Sequence, residues 1–195
     1  METIEEKTRE LVDKYTLQEW FLGKPSGNRY ALDIIKYLDL HVSKDAAILE
    51  MGCGIGQNLV ELWRHGFYNL CGIERDEKTF YACQELINYF EIDALVENHD
   101  ACEGSAWGDF DVIMPLNFTY QKDVNLPELL VKIRSMLMSK GLLVIDIISS
   151  KLDKNKAPEY HHRFSEQEFF ATAKDFEFKE AYDYFPRTVY FMEAV

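Results

Sequence analysis

Gly52, Gly54 and Gly56 stand at every second position in ILEMGCGIGQNL, residues 48–59, after an apolar run that ends in the acid Glu50. Glycine is needed where a chain bends sharply from strand to helix, and where main chain must come close to a ligand that a Cβ would push away. Such a turn suits a nucleotide-type ligand. A dinucleotide fingerprint, GxGxxG, would set its third glycine at position 57, which is Gln57. The carboxylate of Glu50 would repel a pyrophosphate, whereas a ligand carrying an ammonium and a sulfonium is attracted to it.

Two further acids fit a nucleoside. Glu74, followed by Arg75, lies about twenty residues past the glycines, where a carboxylate can accept hydrogen bonds from both hydroxyls of a ribose. Asp100, in ENHDACEG, follows a third strand-like run. All three acids fall at the ends of the first three expected strands, the edge at which open α/β sheets bind ligands.

The arrangement E-x-G-x-G-x-G resembles motif I of the class I S-adenosylmethionine-dependent methyltransferases. The resemblance covers residues 47–195 and implies a Rossmann-like sheet of strand order 3-2-1-4-5-7-6, with S-adenosyl-L-methionine as cofactor and S-adenosyl-L-homocysteine as product. It implies that Glu50, Gly52, Gly54, Gly56, Glu74 and Arg75 line the cofactor. Asp100 then receives the adenine amino group, Ala101 meets a ring nitrogen through its main chain, and Pro115 and Asn117 complete the set. In many relatives the amino-terminal region adds an aromatic or basic contact, for which Tyr15, Trp20, Lys24, Arg29 and Tyr30 are candidates.

The acceptor would be chosen after the fourth strand, in MPLNFTYQK. Enzymes of this family that methylate nucleobases or protein glutamine use [N/D]-P-P-[Y/F] there, and Met114-Pro115-Leu116-Asn117 does not match. A small-molecule acceptor is the expectation, with Asn117 and Tyr120 able to orient it. Past the fifth strand, Tyr160, His161 and His162 close a lysine-rich stretch; either histidine could deprotonate a hydroxyl acceptor, since imidazole titrates near neutrality. No metal site is expected. A nicotinamide-dependent oxidoreductase and a non-catalytic partner that keeps the cofactor fold are the competing readings.

The elements that must position these residues follow from periodicity. Strand-like runs at 47–51, 70–74, 94–97, 110–114 and 142–148 alternate with helix-period segments, the signature of an α/β architecture with a mostly parallel sheet. Leu59, Leu62 and Trp63 give a helix over 57–64; Asp76 caps another to about Phe90; Pro127 opens a third, closed at Lys140-Gly141. Ser165 and Glu168 form a capping box. Two last strands, near 176–182 and 188–193, are joined so briefly around Pro186 that they must be antiparallel. The expected organisation is one domain, a three-layer α/β sandwich with helices on both faces of the sheet. Residues 1–45 form a helical cap, or mere surface packing, and residues 46–195 the core.

Lys plus Arg number 21 and Asp plus Glu 34, so the net charge is 21 − 34 = −13, without a basic cluster. That composition argues against nucleic acid as a partner, because Lys and Arg supply most of such affinity. The most apolar run, 141–148, is too short for a bilayer and is interrupted by Asp146. The amino terminus lacks the apolar stretch of a secretory signal. Cys53, Cys71, Cys83 and Cys102 form no CxxC. A cytoplasmic protein without membrane contact is expected, its oligomeric state unread.

Overall fold

The computed structural model describes residues 3–23, 29–103, 108–153 and 161–195. Its elements run α1 (Ile4–Tyr15), a 3-10 turn (Glu19–Gly23), α2 (Arg29–His41), β1 (Ala47–Met51), α3 (Gln57–Arg64), β2 (Asn69–Glu74), α4 (Glu77–Tyr89), β3 (Ala94–Asn98), β4 (Phe110–Met114), α5 (Leu126–Met136), β5 (Leu137–Ile148), α6 (Glu166–Thr172), β6 (Phe176–Tyr184) and β7 (Arg187–Ala194). The seven strands form one sheet in the order β3-β2-β1-β4-β5-β7-β6, the order the resemblance implies. β1, β2 and β3 are parallel, as are β4 and β5, while β7 runs antiparallel to both β5 and β6. The chain forms two compact units, Met1–Ala101 and Cys102–Val195.

In the first unit β1 and β2 are buried almost throughout, as strands covered on both faces must be. Their register aligns Glu50 with Gly72, and that of β2 with β3 aligns Glu74 with Asn98, so the acids sit at one edge. α1 begins with a capping box between Thr3 and Glu6, and its inner stripe of Ile4, Lys7, Thr8, Leu11 and Val12 includes a cation. Buried Lys7 reaches Glu10 at 2.9 Å and Glu85 of α4 at 3.4 Å, and its ammonium stands over the Tyr89 ring. Glu85 also takes Lys14 at 2.6 Å and the Tyr15 hydroxyl at 3.1 Å. The hydrogen bond to Glu10 leads in raising the Lys7 pKa, and burial opposes it. α1 is thereby fastened to α4 by ion pairs as well as by its apolar stripe.

In the second unit the boundary between α5 and β5 departs from expectation. The helix ends at Met136 and the strand starts at Leu137, not after Gly141. Leu137 pairs with Phe110 and Leu142 with Val112, so the residues between them bulge out of the ladder. Lys140 does take a left-handed φ of 62°, but inside that bulge rather than at a helix end. A Cβ on Gly141 would meet Leu137 Cδ2 at 2.9 Å and the Met138 carbonyl at 3.0 Å. The Ser165–Glu168 capping box is present as expected.

Candidate functional site

The first unit builds a cradle from the glycine turn and the ends of β2 and β3. Gly52, Gly54 and Gly56 all take positive φ, of 71°, 58° and 81°, a region that L side chains enter only under strain. Gly52 and Cys53 donate their N–H groups to the Ile73 carbonyl at 2.8 and 3.0 Å, which folds the turn back onto β2. Gly56 then opens α3 with no side-chain cap.

What fills the missing Cβ positions differs from the sequence argument for two of the glycines. A Cβ on Gly54 would stand 2.9 Å from Phe21 Cε1, and one on Gly56 would stand 2.7 Å from Cys83 Sγ. Protein neighbours, together with φ, therefore account for glycine at both positions. A further glycine had no part in the sequence reading: Gly72, mid-strand in β2, leaves room for Cys53 Sγ at 2.8 Å and Leu59 Cδ1 at 3.0 Å. An isolated glycine inside a strand pattern was the signal for it.

Glu74 is gripped by main chain. Gly54 N–H donates to its Oε2 at 3.0 Å and Asp76 N–H to its Oε1 at 2.8 Å. Burial pushes its carboxyl pKa up, and the N–H groups of Asp76, Gly54 and Arg75 pull the other way. An ionised carboxylate offers about four acceptor directions, so capacity remains for a ligand's hydroxyls. The Glu74 carbonyl accepts from Asn98 Nδ2 at 2.8 Å and from His99 N–H at 3.2 Å, joining the ends of β2 and β3. Arg75 turns to Asp100, 3.6 Å away, and Ala101 beside it is buried. Glu50 is buried and accepts from Asn58 Nδ2 on the first turn of α3.

The amino-terminal candidates divide. The Tyr15 hydroxyl is spent on Glu85. Lys24 and the side chains of Trp20, Arg29 and Tyr30 lie outside the described residues. Among the described residues, Phe21, which the sequence reading passed over, is an aromatic that reaches the glycine turn.

Pro115, Asn117, Tyr120, His161 and His162 all belong to the second unit, where a polar knot holds them. Fully buried Asp146 accepts the Asn117 N–H at 2.7 Å on one oxygen and pairs with the Arg187 guanidinium on the other. Asn117 takes φ 57°, and Thr119 Oγ1 donates to the Asp146 carbonyl at 2.7 Å. The Arg187 guanidinium stands 5.0 Å over the Tyr120 ring, whose carbonyl accepts from the N–H of both His161 and His162, at 3.0 and 3.2 Å. His162 sets its Nε2 3.3 Å from the Lys122 carbonyl, and His161 is exposed. Tyr160 lies outside the described residues. Asp146 and Arg187 were missed as site residues; the signal was an acid inside an apolar strand, which is tolerated only when paired.

Among the described residues no three His, Cys, Asp or Glu side chains are placed to share a metal ion, and no helix is long and apolar enough to cross a membrane.

Comparison with known proteins adds to this geometry. A family profile described as a methyltransferase domain matches residues 26–182. EEF1A lysine methyltransferase 2 of Danio rerio is 46% identical over 56 residues, 28% of this chain and 22% of that protein. The same enzyme of Mus musculus is 43% identical over 56 residues, 28% of this chain and 21% of its own length. The match thus spans about a fifth of each curated relative. Among solved structures, TehB from Haemophilus influenzae superposes with a TM-score of 0.71 at 16% identity, over 97% of this chain and 68% of that one. Magnesium protoporphyrin IX methyltransferase from Synechocystis with bound S-adenosylmethionine gives 0.67 at 12% identity, over 86% and 79%. At such identities these likenesses concern the fold alone.

The relatives found by sequence are named for a lysine of a protein, which overturns the small-molecule acceptor expected from the sequence. That expectation rested on an acidic surface and an unmatched acceptor turn. Acidity disfavours polyanions, but it does not disfavour a polypeptide carrying a cationic lysine.

Proposed function

The chain belongs to the methyltransferase domain family, and from that premise we propose that it uses S-adenosyl-L-methionine to methylate a lysine side-chain amine of a protein. When bound, this cofactor supplies a methyl group activated by a positively charged sulfur. The observation that carries the reading is Glu74, a half-buried carboxylate fixed by the N–H groups of Gly54 and Asp76 with acceptor capacity to spare.

In this reading Glu74 holds the ribose hydroxyls, Asp100 the adenine amino group and Ala101 a ring nitrogen through its main chain. Glu50 sets a negative charge beneath the turn, which favours a cationic ligand over a pyrophosphate. Arg75 orients Asp100 through their ion pair. On the acceptor side, Pro115 and Asn117 shape the turn after β4, and Asp146 keeps Asn117 in place by its hydrogen bond. A lysine amine must be unprotonated to attack, and we assign proton removal to His161. His162 is oriented by the Lys122 carbonyl, and Tyr120, beneath Arg187, forms the aromatic wall. The net charge of −13 complements a cationic polypeptide. The names of the relatives support the lysine, and the family supports the cofactor.

Calorimetric titration with S-adenosylmethionine and S-adenosylhomocysteine tests the first half, and absence of heat with both ends the reading. Incubation with methyl-labelled cofactor and fractionated cell extract, EEF1A included, tests the second. Label recovered as methyl-lysine in protein is the expected result; label confined to small molecules removes the lysine assignment and leaves the cofactor standing.

A further inference from the structure

A planar trans peptide unit points its carbonyl and its N–H to opposite sides, so a group that holds the one aims the other. Two successive units at the end of β2 are held in this way by one side chain. Asn98 Nδ2, on β3, donates to the Glu74 carbonyl at 2.8 Å and to the Arg75 carbonyl at 3.1 Å. The far ends of those two units are the N–H groups of Arg75 and Asp76, and both donate to the Glu74 carboxylate, Asp76 to Oε1 at 2.8 Å. The register of β2 with β3 sets this up, because it aligns Asn98 with Glu74, where the chain leaves β2. His99 N–H also reaches the Glu74 carbonyl, at 3.2 Å. Asn98 therefore acts most directly on the Arg75 carbonyl, and through it on the Asp76 N–H.

We propose that Asn98 is a positioning residue for the Glu74 carboxylate, acting through the two peptide units that follow Glu74; its bearing on ligand binding rests on the reading of Glu74 as the ribose-holding group. The charged neighbours of Glu74 do not replace it. Asp76 opposes ionisation of Glu74 by repulsion and turns its own carboxylate to Thr79 N–H at 2.8 Å, capping α4. The Cys53 thiol of the glycine turn interacts with Glu74 electrostatically, and the Arg75 guanidinium is drawn to Asp100, 3.6 Å away. Main-chain N–H groups thus favour the ionised carboxylate against the cost of burial, and two of the three lie on the units that Asn98 holds. Without Asn98 those units can rock, their N–H groups lose aim, and Glu74 takes up a proton more readily. The ribose hydroxyls then meet an acceptor that is ionised less of the time and less fixed in direction.

The test needs no acceptor. Asn98 is exposed, so Asn98→Ala and Asn98→Leu remove the amide without opening the core or adding charge. The carboxyl carbon of Glu74, labelled with 13C and assigned through Glu74→Gln, is titrated by NMR in the ligand-free protein. Its midpoint is expected to move to higher pH in both variants, since the ionised form has lost support. Calorimetry at neutral pH is expected to show affinity for S-adenosylmethionine and S-adenosylhomocysteine falling alike, by about 2- to 12-fold, the span of one ordinary hydrogen bond. That loss should grow on acidification and shrink at mildly alkaline pH, where Glu74 is ionised with or without Asn98. An unmoved Glu74 midpoint, or a loss of affinity that is the same at every pH, reduces Asn98 to a strand-end contact and overturns the proposal. A wild type that binds neither ligand removes the cofactor reading, while the carboxyl titration still decides whether Asn98 positions Glu74.

Discussion

Gln57 donates its side-chain amide to the hydroxyl of Thr8, Nε2 to Oγ1 at 3.2 Å, and both residues are buried. The residue that breaks the dinucleotide spacing is therefore a clamp, binding α1 to the first turn of α3 just past the glycines. A glycine at position 57 would satisfy the GxGxxG pattern and undo that clamp. Gln57→Gly should cost about 1–3 kcal/mol through the buried hydroxyl left behind and through helix propensity. Thermal unfolding should fall by several degrees. NADH binding should not appear in the variant, and tight NADH binding there would mean that the spacing alone selects the cofactor.

Gly54 and Gly56 should respond differently to alanine. Both substitutions place a side chain in the left-handed region, at a cost of about 1–2 kcal/mol. At Gly56 the new methyl also meets Cys83 Sγ at 2.7 Å inside the core, whereas at Gly54 it meets the edge of the Phe21 ring. Gly56→Ala should be partly rescued by Cys83→Ala, which removes the obstructing sulfur. Urea unfolding of the single and double variants reads the coupling, and strict additivity would show that the sulfur is not the obstacle.

Glu74 sets a pH dependence of known sign. Burial raises its folded-state pKa above the ordinary carboxylate value, so its contribution to the stability of the ligand-free protein is complete below the unfolded pKa and is lost as pH rises through the folded one. In the proposed function, ribose binding depends on the ionised form and has the opposite trend. Affinity for S-adenosylmethionine should weaken on acidification at a pH above the usual glutamate range. Glu74→Gln should bind more weakly and flatten the profile between neutrality and the reference glutamate value of about 4.3. Calorimetry across that interval checks both, and an unchanged slope in the variant assigns the titration elsewhere.

Arg187 offsets the charge of fully buried Asp146. Arg187→Met should destabilise by about 3 kcal/mol, the low end for breaking a buried pair, since Arg187 keeps some contact with solvent. Asp146→Asn leaves a carbonyl to accept the Asn117 N–H, and combining the two changes should recover part of the loss. Differential scanning calorimetry distinguishes this from a surface pair, for which the first substitution would cost less than about 1 kcal/mol.

Much of this protein was readable as a string. The bounds of β1, α3 and β4 coincide with their hydrophobic periods, and the caps at Asp76 and Ser165 stand where the residue types require them. The placement of the glycine turn, Glu74 and Asp100 at strand ends was legible because local spacing encodes strand ends. The close of α5 was not, because Lys140-Gly141 suits a helix stop and a bulge equally, and the pairing of Leu137 with Phe110 decided between them.

Sequence alone determined the alternation of elements, the strand order that follows from the family resemblance, and the edge at which the three acids gather, since these depend on patterns a few residues long. Tertiary structure decided which side chains fill the spaces the glycines leave. Phe21 meets Gly54 across 33 positions and Cys83 meets Gly56 across 27, and no local pattern announces either contact. Likewise Asp146 looked like an interruption until Arg187, 41 residues later, came to neutralise it. A buried charge has to find its counterion in space, and only the folded chain brings the two together.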